Sequence, residues 1–321
     1  MSFKKKVLDV YNGMVFSRCD NAEGLFYFSK DDFEGLNAER IEFKSKRGDT
    51  LRGYFYYYDV KIPDRVVLFE HGLGSGHTAY MREIELLAHH GFLVMAYDHT
   101  GCMDSDGENT NGLAQSLSDL DDAVSFLKAH PLAQGKKICV MGHSWGGFST
   151  MNICALHGDL HSVVSMAGFI SVDEISRQNF KGILSICRKD ALKLEKKANP
   201  DFYTYNAIDS LKATDIPVLL IYSDNDKKVH KKHHYDKLVK NLSDKENITF
   251  ILEKGKGHNP NFSSDAVARK HAFFKEFHKM KRKNAFRSPG SRERFINLYN
   301  WYAITEQDLS LWEKIIEHLE K

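Results

Sequence analysis

Apolar residues fall along the chain in two alternating patterns. Val66-Val67-Leu68-Phe69, Ile138-Cys139-Val140-Met141 and Val218-Leu219-Leu220-Ile221 are continuous apolar runs four residues long. Runs that short suit strands buried on both faces of a parallel sheet better than helices. Between them lie stretches with apolar positions every third or fourth residue. One spans 78–90, with Tyr80, Ile84, Leu87 and Ala88, and stops at Gly91; another spans 113–130 and stops at Pro131. The whole pattern predicts strands over 41–46, 51–59, 65–70, 92–97, 138–141, 162–167, 217–222 and 248–252. The first two are joined by the turn signal Arg47-Gly48-Asp49-Thr50. Helical stretches over 149–157, 230–242 and 265–281 complete the alternation. Strand and helix in turn predict an α/β fold: a mostly parallel eight-stranded sheet flanked by helices, with functional residues at the carboxyl ends of the strands.

The rhythm breaks in three places. Residues 1–40 are aromatic-rich and irregular, with one short amphipathic helix carried by Phe3, Val7, Leu8, Val10, Tyr11 and Val15. Residues 170–213 hold no convincing strand but several helical fragments, with Pro200 as a break. Beyond residue 281 a basic linker and Ser288-Pro289-Gly290 lead to helical patterns over 292–302 and 305–321. Thr305 and Asp308 resemble a capping box there, and Leu309, Leu311, Trp312, Ile315, Ile316 and Leu319 form an apolar stripe. The chain thus divides into an N-terminal extension (1–40), a core (41–169 and 214–281), a helical insertion (170–213) and a C-terminal extension (282–321). The last stripe needs a surface to bury it, either the chain's own core or a second copy in a homodimer through the extensions.

Composition narrows the class. The 321 residues are 42% apolar and 12% aromatic, enough for a substantial core. Net charge is +2 with acids and bases interspersed, and the lysine runs are short, which argues against nucleic acid as partner. Five cysteines show no CxxC pair and no metal spacing. Cys139 and Cys154 read as reduced core residues of a cytoplasmic protein. Lys4-Lys5-Lys6 is not followed by an apolar segment of the signal-peptide kind. No apolar run approaches the ~20 residues of a membrane span.

The chemistry begins where the apolar run 138–141 leads into Gly142-His143-Ser144-Trp145-Gly146. This is G-x-S-x-G, a strand turning abruptly into a helix with serine at the apex. The positions two before and two after the serine crowd together, so both lack a side chain. A serine hydroxyl needs a base, and the base an orienting acid. In strand–helix folds with such an elbow, the chain order is serine, acid, histidine. Ile221-Tyr222-Ser223-Asp224-Asn225-Asp226 ends a strand and offers two carboxylates; Asp226 is favoured because Val229, three residues on, can anchor its loop. His258, in a glycine-rich loop after the last strand, is the base. The backbone N–H of Trp145 and that of Leu73, in the loop His71-Gly72-Leu73-Gly74, are the expected oxyanion donors.

These features resemble the α/β-hydrolase superfamily, near its monoacylglycerol-lipase, esterase and serine-aminopeptidase-like branches. The likeness runs over residues 41–281 and includes Arg47-Gly48-Asp49-Thr50-Leu51-Arg52-Gly53, His71-Gly72, Asp98-x-x-Gly101-x-x-x-Ser105, the elbow, the Asp226 loop and Gly257-His258. The resemblance implies an α/β-hydrolase fold, a Ser144–His258–Asp226 triad and a helical cap over 170–213. The chain departs from the family at Ser223, often glycine, at Lys227, often proline, and at Thr100, usually arginine.

Other residues take quieter roles. His71 is expected to orient the oxyanion loop and Asp98 to brace loops by hydrogen bonds. His143 reads as a packing residue and Cys102 as an inert thiol. His230, His233 and His234 have helical spacing but lysine neighbours and no acidic or cysteine companion, so they read as a solvated face. The expected function is a serine hydrolase cleaving a carboxylic ester through an acyl-enzyme, with no metal and no organic cofactor. An aminopeptidase or amidase on small peptides uses the same triad. A non-catalytic receptor or scaffold on this fold is the alternative outside enzymes.

Overall fold

The computed structural model describes residues 2–20, 24–59 and 64–321. Eight strands form one sheet: β1 (Asn37–Lys44), β2 (Thr50–Tyr57), β3 (Arg65–Glu70), β4 (Leu93–Tyr97), β5 (Lys137–His143), β6 (Ser162–Met166), β7 (Val218–Ser223) and β8 (Ile248–Glu253), in the order β1-β2-β4-β3-β5-β6-β7-β8. β2 runs antiparallel to both β1 and β4, and every other neighbouring pair is parallel.

The continuous apolar runs follow from burial on both faces. In β3, Val66 and Leu68 enter the cluster on one side while Val67 and Phe69 enter that on the other. Ile138 and Val140 alternate in the same way with Cys139 and Met141 in β5, as do Val218 and Leu220 with Leu219 and Ile221 in β7. One face is covered by α3 (Gln115–Ala129), α4 (Trp145–Asn152), α7 (Ala207–Lys212) and α8 (Tyr235–Leu242). The other is covered by α2 (Met81–His89), α9 (Ser264–Arg282) and α12 (Leu309–Glu320). Burying each large apolar side chain contributes about 1.5–3 kcal/mol.

The extensions join these layers. α1 (Phe3–Val15) lays Val7, Leu8 and Tyr11 against Phe180, Cys187 and Ala191, between α5 (Val172–Asn179) and α6 (Ser185–Ala198). The Tyr11 hydroxyl donates to the buried Glu195 carboxylate at 2.5 Å. The stripe Leu311, Trp312, Ile315, Ile316 and Leu319 on α12 is buried in the same cluster as Phe69, Met141 and Val164, on the chain's own sheet. Several boundaries differ from the periodicity, among them α8, which begins at Tyr235 rather than 230; three bear on how the ends are set. α4 starts at Trp145 rather than 149, because the helix begins directly at the elbow. The 292–302 pattern divides into α10 (Ser291–Ile296) and α11 (Trp301–Ile304), the latter capped by Asn300. Asp308, not Thr305, is the N-cap of α12 and accepts from Leu311 N–H.

Candidate active site

Ser144 stands between β5 and α4 with φ 58° and ψ −108°. That positive φ in a residue with a side chain typically costs about 1–3 kcal/mol. The glycines explain how the turn is that sharp. A Cβ on Gly142 would lie 2.5 Å from the Gly146 carbonyl oxygen, and one on Gly146 would lie 2.3 Å from the Glu70 carbonyl oxygen of β3. Everything from Ile138 to Cys154 is buried except Ser144. The strain therefore lifts one hydroxyl out of an otherwise closed core. Trp145 opens α4, so its N–H is among those a helix leaves without an internal partner. Leu73 lies half-buried in the loop after β3, which abuts the elbow: a Cβ on Gly72 would lie 3.5 Å from the Ser144 Cβ.

Asp226 and His258 meet at this hydroxyl from the ends of β7 and β8. The Ser144 Oγ is 2.9 Å from His258 Nε2, and His258 Nδ1 is 2.7 Å from Asp226 Oδ2. With its proton on Nδ1, the neutral ring donates to the carboxylate and accepts from the hydroxyl. Asp226 is buried, and its other oxygen accepts from Lys228 N–H (2.7 Å) and Val229 N–H (3.1 Å). Val229, also buried, anchors the loop. Asp224 is exposed and instead accepts from Gly255 N–H at 2.8 Å. Burial lowers the His258 pKa below its ordinary value, and the Asp226 hydrogen bond and charge only partly restore it. Hydroxyl, imidazole and carboxylate so arranged can move a proton off the serine oxygen as it attacks a carbonyl.

Comparison with known proteins bears on the fold. The family described as "Serine aminopeptidase, S33" (Hydrolase_4) matches residues 61–210. That match covers just under half of the chain, whose fold is the α/β-hydrolase fold. The polyketide transferase af380 of Aspergillus fumigatus is 28% identical over 149 residues, 46% of this chain and 48% of that one. The thiohydrolase apmlB of Arthrinium phaeospermum is 26% identical over 132 residues, 40% of this chain and 42% of that one. The chain thus spans about half the length of the curated relatives it matches. Among solved structures, the Pyrococcus furiosus esterase Pf2001 superposes with a TM-score of 0.61 at 18% identity, covering 83% of this chain and 98% of that one. GrgF from a Penicillium species superposes at 0.53 and 19%, covering 75% and 99%.

Hydrogen bonds from surrounding residues hold this site together. His71 donates from Nδ1 to the Gly72 carbonyl (2.9 Å) and accepts on Nε2 from His99 N–H (3.0 Å). It is thus a neutral ring fastening the loop, and burial pushes its pKa down to about 3. His143, read as packing, is a link. Its Nε2–H donates to the His258 carbonyl (2.6 Å) and its Nδ1 accepts from the Tyr80 hydroxyl (2.9 Å). The Tyr80 oxygen in turn accepts from Gly72 N–H (3.1 Å). One chain of hydrogen bonds therefore runs from the Gly72 loop to the backbone of His258. Beneath the elbow His99 lies wholly buried, 3.2 Å from Glu70 and 3.4 Å from Asp119. Burial opposes its charge, but the two carboxylates outweigh burial and raise its pKa to about 9. No spacing rule reveals these contacts, because the partners come from different strands and helices.

The remaining candidates lie apart from this chemistry. Asp98 accepts from His77 N–H and faces His77 Nδ1, both at 2.8 Å, bracing two loops. Cys102 is buried, and the neighbouring Cys19 sulfur and burial raise its thiol pKa. His233 pairs with Glu174 (2.9 Å), while the buried His234 faces Ile170 N–H (3.2 Å) and Gln178 (3.1 Å). His234 is therefore part of the core and not of a solvated face. Among the described residues, no group of histidine, cysteine and carboxylate side chains could hold a metal ion.

Proposed function

We propose that this chain is a serine hydrolase that cleaves a carboxylic ester through an acyl-enzyme. The observation that carries the reading is the hydrogen-bonded line from Ser144 Oγ through His258 to Asp226, at 2.9 and 2.7 Å, ending on the one unburied atom group of a strained turn. Ser144 attacks the ester carbonyl while His258 Nε2 takes its proton. Asp226 stabilises the imidazolium. The backbone N–H groups of Leu73 and Trp145 hold the tetrahedral oxyanion, each such donor typically worth about 3 kcal/mol. His258 then gives the proton to the departing alkoxide. A water molecule, deprotonated by the same ring, cleaves the acyl-enzyme and frees Ser144.

Residues 170–213 are read as the cap over this site. The five unpaired cysteines favour a cytoplasmic setting. Among the described residues, no helix is long and apolar enough to cross a membrane. A second reading, thioester rather than oxygen-ester cleavage, draws on the relatives named thiohydrolase and polyketide transferase. It uses the same steps with a thiolate as leaving group.

A fluorophosphonate probe tests the nucleophile. Wild type should label and Ser144→Ala should not, with turnover falling roughly 10⁶-fold, as in comparable knock-outs. Near-normal activity in Ser144→Ala overturns the proposal. p-Nitrophenyl esters of rising chain length, acyl thioesters and aminoacyl-p-nitroanilides run side by side then separate ester, thioester and peptide bonds.

A further inference from the structure

The loop that carries His258 is gripped from two sides. On the sheet side, three consecutive side chains at the end of β7 accept from three consecutive backbone N–H groups: Asp224 from Gly255 (2.8 Å), Ser223 from Lys256 (3.0 Å) and Asn225 from Gly257 (2.7 Å). On the far side stands the C-terminal extension. The Lys256 ammonium, only 6% exposed, donates to Asp308 Oδ2 at 2.8 Å and to the Phe262 carbonyl at 2.7 Å. Asp308 N–H donates to the Asn261 carbonyl (2.8 Å) and Ser263 N–H to the Glu306 carbonyl (2.9 Å), with Phe262 bridging Gln307 in antiparallel fashion. The Asn261 amide donates to Gln307 (2.8 Å) and to the buried Glu83 (2.9 Å), and Gln307 also accepts from the Trp312 indole (2.9 Å).

We propose that the C-terminal extension is a positioning element of the catalytic site, with Asp308 and Gln307 at the start of α12 holding the His258 loop in register through Lys256 and Asn261. The inference rests on His258 being the base. Lys256 is buried and Asp308 half-buried, and such a pair is seldom a large net stabiliser, since desolvation offsets much of the attraction. What it does supply is fixed geometry. Asp308 has a double role: Oδ1 accepts from Leu311 N–H and the Ser310 hydroxyl at the helix start, while Oδ2 takes Lys256. The anchored position of α12, with Trp312 and Ile315 buried on the sheet, is thereby passed to a loop two residues from the imidazole. Lys256 and Asp308 are positioning residues, because neither touches Ser144.

Asp308→Asn separates the two roles, since asparagine caps a helix as well as aspartate but leaves Lys256 without its counter-charge. For ester hydrolysis, kcat should fall at least about tenfold with KM within twofold, because small displacements of a catalytic group cost rate rather than binding. A loosened His258–Asp226 bond should also move the acid limb of the pH–rate profile to lower pH. Lys256→Met, which leaves α12 untouched, should reproduce both effects, and Lys256→Arg should restore most of the rate. Deuterium uptake by residues 254–262 should rise in Asp308→Asn and in Lys256→Met. A folded Asp308→Asn or Lys256→Met with wild-type kcat, pH profile and exchange overturns the proposal. If wild-type protein fails to label with fluorophosphonate, the hydrolase reading falls by itself, and the exchange measurement still decides whether the extension holds the loop.

Discussion

At the residue scale, the two carboxylates after β7 differ in environment. Asp226 is buried, bonded to His258 and held by two backbone N–H groups, whereas Asp224 is exposed and accepts from Gly255 N–H. Asp226→Asn should therefore lower kcat/KM by about 10⁴-fold, because the imidazole loses both its tautomer and its counter-charge. Asp224→Asn should cost less than tenfold, through a slackened loop. Comparing the two variants by steady-state kinetics checks the assignment, and the reverse order would move it. The proposed base, His258, makes a pH prediction. The His258 pKa lies below its ordinary value of 6.5, and His258 acts only when neutral. The acid limb of kcat/KM against pH should thus have its midpoint below 6.5 and be level at neutral pH. A midpoint above 7 would show that burial does not govern this ring. The D-x-x-V spacing made Asp226 legible in the sequence. The roles of Ser223, Asp224 and Asn225 were not, since each grips a backbone atom on another strand's loop.

At the element scale, the eight strands were readable because both faces of the sheet are covered, which makes each central strand a continuous apolar run. The elbow was readable for a related reason. A strand entering a helix without a loop leaves room for nothing but glycine at residues 142 and 146, and the close approaches to Gly146 and Glu70 backbone account for both. Gly146→Ala should consequently be severe: its Cβ would meet backbone, which cannot swing aside as a side chain could. We expect a loss of at least about 3 kcal/mol, in line with overpacking of a closed core, together with loss of fluorophosphonate labelling. Denaturant titration and labelling of the same sample check both. The helix ends were less legible. Asp308 and Asn300 cap helices whose positions are set by burial of Trp301 and Trp312, and the local pattern alone pointed to Thr305.

At the scale of the whole molecule, a charged group sits where the layers meet. Glu70 ends β3, His99 follows β4, Asp119 lies on α3, and Ser149 on α4 donates to Glu70 at 3.2 Å. Asp119 is satisfied on its other side by Thr100 N–H (2.8 Å), the Thr100 hydroxyl (2.9 Å) and Gln115 (2.7 Å). The His99 ring lies 4.7 Å from that of Trp145, so this imidazolium lies beneath the elbow. Its pKa, raised from 6.5 to about 9, ties folding to pH. The folded protein holds the proton more tightly than the unfolded chain, so the contribution is complete below pH 6.5. It is lost as pH rises through about 9 and amounts to on the order of a few kcal/mol. His71 and His234 act oppositely: both are buried neutral, with pKa values near 3, and destabilise the fold as pH falls below 6.5. Cys19, lowered to about 7, and Lys270, lowered to about 8, add stability as pH rises past those values, so the His99 effect must be read by difference. Glu70→Gln keeps the shape but removes one of its two counter-charges, which should bring the His99 pKa down. The Tm gap between wild type and Glu70→Gln should be widest near pH 6.5 and close towards pH 9, as the wild-type imidazolium loses its proton. Side-chain nitrogen shifts should report His99 charged and His71 neutral at pH 7.5. A neutral His99 at that pH, or a Tm gap that does not change with pH, would mean that the layers are joined here by packing alone.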